Sequence, residues 1–198
     1  YDPNIDKSKY RNGNGFGYFW NLDYSKDTHG WYAEIFGRTA DYRADSGFTR
    51  RTNTNQAFFA YRESTKSKPK ATVIRWNFNQ FVRYTFDWAG RNQYALAGAG
   101  VNAQLQHNIF IHFEGGEQRE KIYEEEFGAK RNNLPVGNPA RIAGAFFGAP
   151  TRSTPQPFLS WNYNQTVNKQ FSFYSFGSYS AGSFDYDFGG GNRFPRVS

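Results

Sequence analysis

The sequence predicts an all-β protein, an antiparallel up-and-down meander built as a transmembrane outer-membrane β-barrel or a part of one. Three observations carry that prediction. Aromatic residues make up 20% of the 198 residues, with 21 Phe, 14 Tyr and 5 Trp, roughly twice an ordinary share. Mean hydropathy is nevertheless −0.82, so the rings must alternate with polar residues. Finally, apolar and polar residues do alternate with period two from end to end, the signature of strands with one face in each environment.

The elements follow in order. Over 15–24, Phe16, Tyr18, Trp20, Leu22 and Tyr24 oppose Gly15, Gly17, Phe19, Asn21 and Asp23. After the polar turn SKDTHG, residues 31–39 set Trp31, Ala33, Ile35 and Gly37 against Tyr32, Glu34, Phe36 and Arg38. A third strand is predicted from about Phe48 to Arg62, and STKSKPK closes it as a turn.

The run TVIRWNFNQFVRYTFDW, residues 72–88, is the most informative. Its even positions are nearly all apolar, Gln80 being the exception mid-strand, and its odd positions are mostly polar or charged. An ordinary strand has about 5–6 residues. Residues 72–86 would extend about 50 Å at roughly 3.3 Å each, and tilted by about 40° they would cross a bilayer core and both interfaces. Ile74, Trp76, Phe78, Val82, Tyr84 and Phe86 are the lipid-facing candidates, with Tyr84 and Trp88 at the interface. Arg38, Arg62, Arg75, Arg83, Asn77 and Asn79 are the lumen-facing candidates. Inward arginines either pair with Glu34, Asp23 or Asp87, or favour anionic solutes.

Further strands are predicted at 94–105 and from Ile109 through Glu114, joined by the tight turn QHN, and then at 140–147, 158–163 and 171–180. The charged stretch 115–139 reads as a loop. Short and long connections alternate through the first seven strands and lose the alternation after Pro150.

Chemistry finds little foothold. There is no Cys, which excludes disulfides and thiolate sites. His29, His107 and His112 lack metal-ligand spacing. NGNGFG, residues 12–17, enters a strand rather than a helix and reads as a turn. Glu124, Glu125 and Glu126 read as a solvated acidic run. Asp185 and Asp187, before GGGN, form a weak calcium-loop candidate without a defined motif spacing. No cofactor and no catalytic residue is expected. The net charge of +7 with interleaved rings allows a second reading, a soluble aromatic-rich β-sheet module that binds carbohydrate or single-stranded nucleic acid. Against nucleic acid, Lys66, Lys68 and Lys70 sit in a turn rather than among the rings, so no nucleic-acid partner is expected.

Three stretches carry a resemblance: DYRADSGFTRRTN at 41–53, YEEEFG at 123–128 and DFGGGNRFPRVS at 187–198. They look like motifs of a large uncharacterised family of bacterial barrel-like proteins, whose domain of unknown function often follows an N-terminal carbohydrate-binding module of the family-nine type. The resemblance implies an outer-membrane barrel in a Gram-negative bacterium, giving passage, anchoring or display. It also implies that residues 1–198 are one domain incomplete at both ends. The expected partners are then the lipid bilayer, another chain or segment that completes the wall, and an anionic or carbohydrate ligand.

Overall fold

A computed structural model describes residues 15–40, 42, 52–126, 130–144, 146, 149–182 and 196–197. They form one antiparallel sheet in strict sequence order. Eight strands make up its body: β1 (Gly17–Ser25), β2 (His29–Arg38), β3 (Thr54–Ser64), β4 (Val73–Phe86), β5 (Asn92–Leu105), β6 (Ile109–Tyr123), β7 (Thr151–Thr166) and β8 (Ser172–Ser180). A two-residue β9 (Arg196–Val197) pairs with Tyr179 and Ser180. A single turn of 3₁₀ helix, Glu124–Glu126, is the one helical element among the described residues. The sheet does not close on itself, because β1 pairs only with β2.

The register sorts every strand into the same two faces. On one face, Tyr18, Trp20, Leu22 and Tyr24 of β1 meet Gly37, Ile35, Ala33 and Trp31 of β2. That face continues through Ala57, Phe59 and Tyr61 to Tyr84, Val82 and Gln80 of β4, then to the alanines of β5 and on to Leu159 and Tyr179. The other face carries Asn21, Glu34, Arg83, Asn102, His112 and Gln156.

Burial is inverted with respect to a water-soluble sheet. The described buried apolar side chains are Ile122, Tyr123 and Phe146, whereas Trp20, Phe59, Val82, Phe113 and Leu159 are exposed. Buried instead are Thr54, Thr85, Asp87, Gln93, Thr154 and Gln156. In β4, Asn77, Asn79 and Arg83 are half-buried while Trp76, Gln80, Val82 and Tyr84 are exposed.

Several sequence expectations need correction. Residues 115–123 belong to β6 and are not loop. The alternation fails there because both faces are polar: Glu117, Arg119 and Lys121 on one, Gln118 and Glu120 on the other. Residues 140–144 are not strand but part of the 124–150 connection. Asn132 stitches that segment locally, accepting from the Ile142 N–H at 3.1 Å and donating to the Ala140 carbonyl at 2.9 Å.

In place of two short strands stands the 16-residue β7, which holds Pro155 and Pro157. Pro157 accepts from the Ala181 N–H, so its backbone faces the β8 side. There β8 has already ended at Ser180, and no ladder donor is required of it. With these boundaries the alternation resumes after β6 and fails at 87–91 alone. The short ones are 26–28, 65–72, 106–108 and 167–171; the opposite edge has 39–53, 87–91, 124–150 and 181–195, of which only 87–91 is brief. The predicted start of the third strand near Phe48, together with Asp185 and Asp187, lies outside the described residues.

Candidate functional site

The polar face is organised by rows of side chains that share a hydrogen-bonding register. Asn77, Asn102, His112 and Asn162 stand on four successive strands at one level. The Asn77 Oδ1 accepts from Asn102 Nδ2 at 2.7 Å and from Asn79 Nδ2 at 3.1 Å. Asn102 Oδ1 lies 2.7 Å from His112 Nδ1. With its amide NH₂ already donating to Asn77, that oxygen accepts and His112 Nδ1 carries the proton. Asn162 donates to the Tyr174 hydroxyl at 2.9 Å. A hollow of about 250 Å³ opens along this row beside Arg75 and Gln104.

A second row lies nearer the other edge. Tyr94 donates to Gln118 at 2.7 Å, and Gln118 donates to Gln156 at 2.6 Å. Across the sheet, Glu34 accepts from the Tyr32 hydroxyl at 2.7 Å. Between these groups, the Arg83 guanidinium lies 5.3 Å over the Phe58 ring. Its Nε is enclosed and has no hydrogen-bond acceptor among the described residues. A wider hollow of about 460 Å³ runs from here toward the short turns, walled by Tyr32, Phe58 and Phe81.

All six lumen-facing candidates stand on the polar face, and Trp76, Phe78, Val82, Tyr84 and Phe86 stand together on the apolar one, while Ile74 falls in the bulge between Val73 and Arg75 and has no register partner. The ion pairs expected for the arginines are not made among the described residues. Arg38 lies over the rings of Phe36 and Tyr42, and Arg62 donates to Ser25 Oγ at 2.9 Å. Asp87 pairs instead with Arg91, at 2.6 Å. The reason is register: Arg62 faces Gly30 and Asn79, and Arg83 faces Phe58 and Leu96, so no acidic residue stands directly opposite either.

The edge with the long connections is held by groups that the sequence did not single out. Asp87, 1% exposed, accepts from the backbone N–H groups of Ala89 and Arg91 at 3.0 and 2.8 Å. Burial alone would raise its pKa, but these donors and the Arg91 side chain outweigh it and hold the carboxyl below its ordinary value. Arg91 also binds Glu125 and lies 4.4 Å over the Tyr123 ring.

The reading of the acidic run as solvated is thus corrected at Glu124, while Glu125 and Glu126 are exposed. Glu124 is buried, receives the Arg131 side chain at 2.6 Å through each oxygen, and accepts from the Phe146 N–H at 2.6 Å. The Arg131 hydrogen bonds chiefly, against the opposing effect of burial, lower its pKa. Spacing along the chain gives no sign of these pairings, because each crosses a connection.

Trp88 closes the same edge, donating Nε1–H to the Arg38 carbonyl at 2.8 Å and meeting Phe16 edge-on at 5.6 Å. Among the described residues no three His, Asp or Glu gather as metal ligands. Comparisons with protein-family models, with curated proteins and with solved structures found no match.

Proposed function

We propose that this chain forms the wall, or an arc of the wall, of an outer-membrane β-barrel in a Gram-negative bacterium. It would serve passage, anchoring or surface display, with no catalytic step. One observation carries the reading: the exposed face of the sheet is the apolar one, and its apolar band runs diagonally across the strands.

The diagonal can be read from the register. The hydrogen-bonded row through Gln80 reaches Tyr24 at β1 and Tyr179 at β8. At β1 the band, Tyr18 to Tyr24, lies wholly on the long-connection side of that row. At β8 the band, Phe173 to Tyr179, lies wholly on the short-turn side. The displacement is six residues over seven steps between strands. At about 3.3 Å per residue and about 4.8 Å between strands, the band slopes by about 30°.

If the band lies in the membrane plane, the strands tilt by that angle, close to the roughly 35–45° of membrane barrels. The charges on this face obey the same diagonal. Glu63 falls beyond the band at β3 on the short-turn side, and Glu117, Arg119 and Lys121 fall beyond it at β6 on the other side. The short and long edges match periplasmic turns and extracellular loops. The family resemblance of the sequence motifs points the same way.

The test is electrophoretic and uses the whole chain. Refolded in detergent, it should run faster in SDS unheated than after boiling, and it should partition into lipid vesicles. A monomer that stays dispersed without detergent and shows no heat-dependent migration would sink the barrel. The soluble carbohydrate- or nucleic-acid-binding sheet would then be favoured.

A further inference from the structure

We infer that the hollow over Ala60 on the polar face is a binding site for an acidic oligosaccharide. The inference rests on the barrel reading only in taking the polar face to be the lumen.

The hollow is about 460 Å³, within the size range of small-molecule sites. It exists because the residue at its floor is small: Ala60 lies between Tyr32 on β2 and Phe81 on β4 in one register row. Those two rings and Phe58 supply apolar surfaces of the kind that pack against the C–H face of a sugar ring.

The charged groups are placed at the two ends. Arg83 pairs in register with Phe58, and Arg62 pairs with Asn79, so the arginines stand four residues apart, about 13 Å along the strands. Neither forms an ion pair among the described residues. Arg62 donates to the hydroxyl of Ser25 at 2.9 Å, and Arg83 lies on the Phe58 ring with its Nε enclosed and unsatisfied among the described residues. Arg83 is half-buried with one N–H unsatisfied and no ion pair among the described residues, so an incoming oxyanion at its remaining N–H groups would gain a charge-assisted hydrogen bond without displacing an existing acid.

With their backbones about 13 Å apart along the strands, and with Arg62 turned to Ser25 on β1 and Arg83 to Phe58 on β3, the two cations suit two carboxylates on different units of one chain. Asp23 also lines the hollow and makes no ion pair with either arginine among the described residues. One carboxylate between two guanidiniums leaves the hollow net positive, and it offers an acceptor for ligand hydroxyls. Asn79, on β4, adds an amide at the opposite side of the hollow. Rings, hydroxyl-binding groups and two separated cations together select an acidic sugar oligomer over a lone anion or a neutral sugar.

The test is calorimetric titration of the detergent-refolded chain with trigalacturonate, monomeric galacturonate and neutral maltotriose. Trigalacturonate should bind at least about tenfold more tightly than either of the others, and Arg83→Gln and Arg62→Gln should each weaken it about tenfold or more. Arg83→Lys, which keeps the charge but loses the planar fork, should recover only part of the loss. Equal binding of maltotriose, equal binding of the monomer, or unchanged affinity in both glutamine variants would overturn the site. If Arg83→Gln fails to fold, Arg62→Gln decides alone. Heat-dependent migration of the same sample reports separately on the barrel, so absent binding in a heat-modifiable chain removes the site and leaves the barrel standing.

Discussion

The two faces of this sheet obey opposite rules. The apolar face leaves most of its rings exposed and joins them mainly ring to ring, as Tyr24, Trp31 and Phe59 stack across three strands and Trp88 meets Phe16 at the edge. The polar face is cross-linked from strand to strand through Asn77, Asn102 and His112, and again through Tyr94, Gln118 and Gln156. The lesson is that this fold is not held by an apolar core. Its polar face is hydrogen-bonded from strand to strand and its apolar face is left exposed; on the proposed reading that apolar face meets lipid.

The largest test of that contrast is a charge on each face. Val82→Arg, on the exposed apolar face, should cost about 2–4 kcal/mol of folding free energy in vesicles. Asn164→Arg, on the polar face of β7, should cost under about 1 kcal/mol on the same urea titration. Equal costs would mean that the two faces do not meet different solvents.

A smaller effect concerns volume. A Cβ at Gly98 would collide with the Phe81 ring on the polar face, so Gly98→Val should cost about 1–3 kcal/mol through overpacking. Ala99→Val, its neighbour facing outward, should be nearly neutral. If Gly98→Val proved neutral too, the polar face would be slack rather than packed.

The smallest global effect is confined to one edge of the sheet. The Asp87 and Glu124 carboxyls sit below their ordinary pKa in the fold. Their contribution is therefore complete above the unfolded values near 4 and is lost as pH falls through the depressed folded values. Amide exchange over 87–91 and 124–146 should accelerate on acidification below about pH 4, while the sheet interior around Asn102 stays protected. Uniform loosening, or none, would show that these carboxylates do not anchor the edge.

Much of this architecture was legible because period two is geometric. From Arg75 to Phe86, period two put each β4 residue on the face that the register gives it, Gln80 included, which is exposed; the bulge between Val73 and Arg75 broke the rule at the strand's start, where Val73 stands on the apolar face opposite Leu105. Where alternation vanished, legibility vanished with it. The second half of β6 has charge on both faces, and Pro155 and Pro157 disguised β7. The fate of the arginines was open in the sequence, and only cross-strand register set Arg83 on Phe58 rather than beside an acid.

By itself, then, the sequence determined the strand class, the apolar and polar sets of side chains, and the unusual length of β4, since all three follow from local chemistry repeated every second residue. Tertiary structure decided what local chemistry cannot encode. It supplied the register that lines up the Asn77–Asn102–His112 row, the diagonal of the apolar band, and the hollow between Arg62 and Arg83. It also gave the buried Glu124 a partner seven residues away in Arg131. Those depend on which strand lies beside which, and at what offset, and an offset between strands is a property of pairs that no single strand contains.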